Sequence, residues 1–130
     1  MSLRILHLVV GFVGLVAFLS TGAYMFGEFP ELYAGNEALR YIYRANHIYL
    51  LLASLVNLAL GAQPWTPLAG RWAAVRAGGS LLVAAAPSVL LLAFILEAPQ
   101  VSPERLVTAL GIYALLLGVV AQLVSAARGA

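Results

Sequence analysis

The chain has 130 residues, one domain's worth of length, with 63% hydrophobic and only 9% charged positions. Soluble domains run at about 45–50% apolar and about 25% charged, so this chain lacks the polar surface to cover a water-soluble globule. The net charge of +2 comes from seven Arg and five Glu, too scattered for a nucleic-acid-binding patch, and the absence of Cys rules out disulfides, thiolate metal sites and cysteine nucleophiles. What remains is a small polytopic membrane protein.

Four apolar stretches, at about 5–25, 39–61, 74–96 and 104–126, pass the length of about 20 residues that crosses roughly 30 Å of hydrocarbon. Lipid offers an exposed backbone no hydrogen-bond partner, so each stretch is predicted to be a helix. A transmembrane barrel would instead show alternating segments of about ten residues. None occurs.

Arg4 precedes the first span, whose apolar run is longer than a signal-peptide core and predicts an uncleaved helix. Gly27-Glu28-Phe29-Pro30-Glu31 ends it, and Asn36 is placed to cap the second helix. Gln63-Pro64-Trp65-Thr66-Pro67 ends the second span, with Trp65 and Trp72 suited to the headgroup layer. In the last turn Ser102 and Pro103 fit the N-cap and first position of the fourth helix. Connections this short make sequence neighbours antiparallel. The expected fold class is all-α, an integral membrane up-down-up-down antiparallel four-helix bundle forming one domain over 1–130. The two halves show no self-similarity, so an inverted-repeat transporter gains no support.

Arg4, Arg71, Arg76 and Arg128 fall on the side carrying both termini, and Arg40, Arg44 and Arg105 on the other. That bias places both termini in the cytoplasm, in what is expected to be a bacterial inner (plasma) membrane. All five glutamates (Glu28, Glu31, Glu37, Glu97, Glu104) lie on the outer side.

Membrane helices pack through small and polar residues and turn plain aliphatic faces to lipid. One stripe of the first helix carries His7, Gly11, Gly14, Phe18, Thr21 and Met25. The fourth carries Thr108, Gly111, Leu115, Gly118, Gln122 and Ser125, and the third Arg76, Gly79, Val83, Ala86 and Leu90 beside Pro87. Gly11, Gly14, Gly111 and Gly118 are expected to be helix-packing positions. On the second helix Arg40, Tyr43, Arg44, His47 and Ser54 form the most polar stripe, with Asn57 and Gly61 at its margin and Asn46 about a quarter-turn away.

Ionisable groups within a span cost a few kcal/mol and therefore pair, face the interior or snorkel. Arg40 is expected to snorkel to the interface. Arg44 and His47 share a face at i and i+3. They admit two readings. In the first, Arg44 pairs with Glu28, Glu31 or Glu37 and His47 hydrogen-bonds across helices. In the second, Tyr43, Arg44, Asn46 and His47 form an outer-leaflet pocket for a quinone, lipid, haem or small anion, with Arg44 supplying charge-assisted donors.

A haem shared by His7 and His47 meets a depth problem. His47 lies 14 residues before Gly61, so the two histidines are about 15–20 Å apart along the bundle. No catalytic constellation or metal-ligand set is present, and no cofactor is expected, with haem on one histidine or a quinone left open. In size and four-span layout the chain resembles the small multidrug-resistance exporters. Those carry a glutamate inside their first helix, whereas this first span has no acid. It is also similar in size, and in its early His7, to four-span haem-associated proteins of the protoporphyrinogen-oxidase kind, without a shared motif.

The expected function is that of a non-enzymatic accessory or self-associating subunit of a membrane assembly. Its partners would be the lipid bilayer and either further copies of the chain or another membrane protein, with no nucleic acid. The alternative is a ligand-binding redox or transport protein using the pocket around Arg44 and His47. A membrane enzyme acting on a lipid or isoprenoid, with His47 as acid–base, ranks behind both because no nucleophile or metal site accompanies that histidine.

Overall fold

The computed structural model describes residues 2–28, 31, 34–101 and 104–128. They form four long apolar helices packed together, with no strand among the described residues. These are α1 (Leu3–Gly27), α2 (Glu37–Ala62), α3 (Gly70–Leu96) and α4 (Leu106–Ala127). Each is long and apolar enough to cross a membrane.

Their ends follow local chemistry. Ser2 and Asn36 cap α1 and α2 by accepting the N–H groups of Ile5 and Leu39. Two donors close the C-terminal end of α2, where carbonyls lack intrahelical partners. Trp65 Nε1 donates to Leu60 O at 2.8 Å, and Arg4 Nε to Gly61 O at 3.0 Å. The third helix starts four residues before its apolar stretch, so Arg71 and Trp72 lie on it. Ser102 and Pro103 lie outside the described residues. The described α4 begins at Leu106 with Arg105 at the N-cap, and its free N–H groups are taken by a glutamate from the preceding turn, described below.

Packing is uneven. The pairs α1–α2 and α3–α4 are the most extensive, α2 and α3 meet across the centre, and α2 barely touches α4. A Cβ on Gly11 would fall 2.8 Å from the backbone nitrogen of Leu58, and one on Gly118 would fall 2.8 Å from Gly79 O. Gly14 and Gly111 meet side chains instead, those of Ser54 and Leu90. At Gly11 and Gly118 only glycine lets the backbones approach so closely. Gly118→Leu should therefore lower thermal stability in detergent by about 1–3 kcal/mol through overpacking. Gly78→Leu, with no atom within 4 Å of the added Cβ, should leave it nearly unchanged. Melting curves of the two variants check this.

Pro87 sits within α3 and is buried. Having no N–H, it leaves the carbonyl four residues earlier, on Val83, without its helical donor. Asn57 of α2 supplies the replacement, Nδ2 donating to Val83 O at 2.9 Å and to Ala53 O at 2.8 Å. Both amide hydrogens are thereby used, which turns Oδ1 toward His7 of α1 at 2.7 Å from Nδ1. One asparagine thus fastens three helices.

Candidate functional site

Tyr43, Arg44, Asn46 and His47 all lie on α2 but do not meet in one pocket. Tyr43 is buried against Phe94, their ring centroids 5.1 Å apart, within a cluster that includes Leu39 and Ala98. Asn46 is fully buried and faces α3 and α4. His47 is half-buried against α1. Arg44 is exposed, and it makes no ion pair with Glu28, Glu31 or Glu37 among the described residues. The buried face of α2 is rotated away from Arg44 and toward Asn46. Outward placement spares the guanidinium desolvation, whereas an amide inside finds partners.

Those partners form a polar knot. Asn46 Oδ1 accepts a hydrogen bond from Arg105, and Asn46 Nδ2 donates to Ala93 O at 3.4 Å. Thr108 Oγ1 lies 3.1 Å from Asn46 Oδ1 and 2.7 Å from Glu97 Oε2, and its single proton serves one at a time. The Glu97 carboxylate also accepts the N–H of Val107 at 2.6 Å and of Thr108 at 2.9 Å. It is the cap of α4, placed where a helix N-terminus favours negative charge. Partial burial pushes the Glu97 carboxyl up, but its hydrogen bonds from Thr108 and Val107, with Arg105 nearby, outweigh that and hold it below the ordinary glutamate range.

A carboxyl with a depressed folded pKa contributes stability above its unfolded pKa and loses it as pH falls through the folded value. The protein should therefore lose stability on acidification below the ordinary glutamate range. Glu97→Gln should be less stable at neutral pH and lack that part of the acid dependence, which melting curves across pH will show.

The described residues near His47 form a second grouping. Its ring stacks on Phe18 with centroids 4.0 Å apart. Thr21 Oγ1 donates to Phe18 O at 2.9 Å, so His47 Nδ1, 3.0 Å from that oxygen, donates to it. In front of Thr21 a cavity of about 450 Å³ opens between α1, α2 and α3, bordered by Tyr24, Tyr43, Phe94 and Pro99. Its walls are aromatic and apolar, a fit for a flat ring or an acyl chain rather than for an anion, since Arg44 is absent from the lining.

The two histidines occupy different levels. His7 pairs with Asn57 and His47 with Thr21, positions about 15–20 Å apart along α1 and α2. One haem or metal ion cannot join them. Sequence reasoning missed the His7–Asn57 pair, although counting depth from Arg4 and Gly61 on neighbouring helices places the two side by side. Of Arg105 it gave only the side of the bundle; no sequence signal marks its contact with Asn46, 59 positions away. No family model, curated protein or solved structure matches the chain.

Proposed function

We propose that the chain is an integral membrane protein that crosses the bilayer four times, up-down-up-down, with both termini in the cytoplasm of a bacterial inner membrane. It acts without catalysis, as an accessory or self-associating subunit of a membrane assembly. The observation that carries this reading is how the polar interior is used. Every buried polar residue among the described ones makes at least one hydrogen bond within the chain, from His7 and Asn57 to Ser80, Gln122 and Ser125. The polar groups fasten helices, and large hydrophobics such as Phe12, Leu19, Leu81, Leu110 and Leu123 cover the outside. The antiparallel arrangement is supported by Arg4 lying beside Gly61 while Thr21 lies beside His47.

Blue-native migration and crosslinking in mild detergent test it. A species larger than one chain, or a co-migrating partner, is expected; a strictly monomeric, partnerless particle contradicts it.

The aromatic cavity favours a second reading, a membrane protein binding a quinone or lipid beside Thr21, Tyr24 and Tyr43, with His47 behind. A haem ligated by His47 belongs to this reading as well. A stoichiometric quinone by native mass spectrometry, or a Soret band in the visible spectrum, would put this reading first. Protein purified without either would remove it.

A further inference from the structure

At the opposite end from Glu97, the weak α2–α4 contact leaves a second cavity, about 460 Å³. Ala59 and Leu60 of α2 and Val119 and Leu123 of α4 form its apolar walls, and Trp65 and Arg76 stand at its polar rim. The Arg76 guanidinium lies 5.5 Å from the Trp65 ring and donates through one nitrogen to Thr66 O at 2.6 Å. A guanidinium carries five N–H donors, and the rest of Arg76's make no bond among the described residues.

Arg76 is the charged residue of the cavity lining, and among the described residues the charge at this end of the bundle is of one sign. Arg4 bonds the end of α2, and Arg71 and Arg128 both lie over Trp72 at 5.1 and 5.6 Å. The chain has no Asp, and its five glutamates all lie at the other ends of the helices, about 35 Å away. An apolar slot between membrane helices, rimmed by arginine and tryptophan and with no carboxylate side chain in its lining among the described residues, matches an anionic amphiphile.

From this geometry we infer that the α2–α4 cavity binds an anionic phospholipid, its phosphate at Arg76 beside Trp65 and one acyl chain between α2 and α4. This rests on the chain spanning a membrane, and goes beyond it in naming a site and a headgroup class. Charge-assisted bonds from arginine select phosphate esters without a balancing ammonium.

Native mass spectrometry of the full chain in mild detergent tests it, with phosphatidylglycerol and phosphatidylcholine of identical acyl chains as probes. One phosphatidylglycerol should be retained about tenfold better than phosphatidylcholine, the effect of roughly one charge-assisted contact. Arg76→Gln should bring the two lipids to parity, and Ala59→Trp, which fills the slot, should abolish stoichiometric binding of both. Millimolar inorganic phosphate should not displace the lipid. Equal retention by the parent, an undiminished preference in Arg76→Gln, or displacement by phosphate overturns the site. If Arg76→Gln does not fold, Ala59→Trp decides, and unchanged lipid binding by it is the contrary result. Extraction of the chain from membranes by alkaline carbonate tests the spanning itself, so the two failures are distinguishable.

Discussion

Asn57→Leu is expected to be among the most damaging single substitutions in the chain. It removes the donor to Val83 O and the acceptor for His7 Nδ1 at once, leaving both groups buried and unpaired. Each such group costs about 1–3 kcal/mol, discounted because membrane-embedded chains find alternative partners. A loss of about 2–4 kcal/mol in reversible denaturation from detergent follows. The account makes a sharper demand through Pro87. Pro87→Ala restores an N–H that can return to Val83 O, so Asn57→Leu should cost less in that background. A positive coupling of at least about 0.5 kcal/mol in the double-mutant cycle is the expected outcome. Strict additivity would mean that Asn57 does not replace the proline's missing donor.

The second large effect is expected at Asn46. Replacing it with Leu strips Arg105 of its amide acceptor and leaves the guanidinium, whose Nε is already buried without a partner, against an aliphatic wall. Hydrogen bonds to charged groups are worth about 1.5–3 kcal/mol, and a loss of that size should appear as a lowered melting temperature. Arg44→Ala, two positions earlier in the same helix, should shift it far less, because Arg44 is exposed. Equal losses would show that the face of α2 turned inward is the one bearing Arg44.

The helices were legible because lipid imposes a length and a composition on any span, and those are visible without contacts. The buried residues of α4, namely Thr108, Gly111, Leu115, Gly118, Gln122 and Ser125, are the stripe that the 3.6-residue period selects. On α2 the period was less decisive. Tyr43, Arg44, Asn46 and His47 spread over nearly half of the helix circumference, with Arg44 and Asn46 at its two edges, and periodicity alone ranks those two only by polarity. What decided the matter is non-local. Asn46 meets Arg105, Thr108 and Ala93 O, and nothing in the sequence of α2 announces those partners. The capping of α4 by Glu97 was illegible for a similar reason, since that carboxylate comes from the far side of the turn rather than from a residue next to the helix. The Pro87–Asn57–His7 link was legible in part. A proline inside a span frees a predictable carbonyl, but which neighbour answers it depends on the register between α2 and α3.

The central claim is that the four helices cross a bilayer with the arginine-rich and the glutamate-bearing ends on opposite sides. The chain has no Cys, so single-cysteine variants labelled with a membrane-impermeant maleimide in sealed, oriented vesicles test it most directly. Gln63→Cys and Arg128→Cys should react only from the cytoplasmic face, and Glu37→Cys and Glu104→Cys only from the other. Val13→Cys and Leu116→Cys, on helix surfaces that are 59% and 54% exposed outside a membrane, should resist labelling from both faces because lipid covers them. Reaction of Val13→Cys or Leu116→Cys at the rate of a water-exposed thiol, or labelling of all four end positions from one face, would contradict the account.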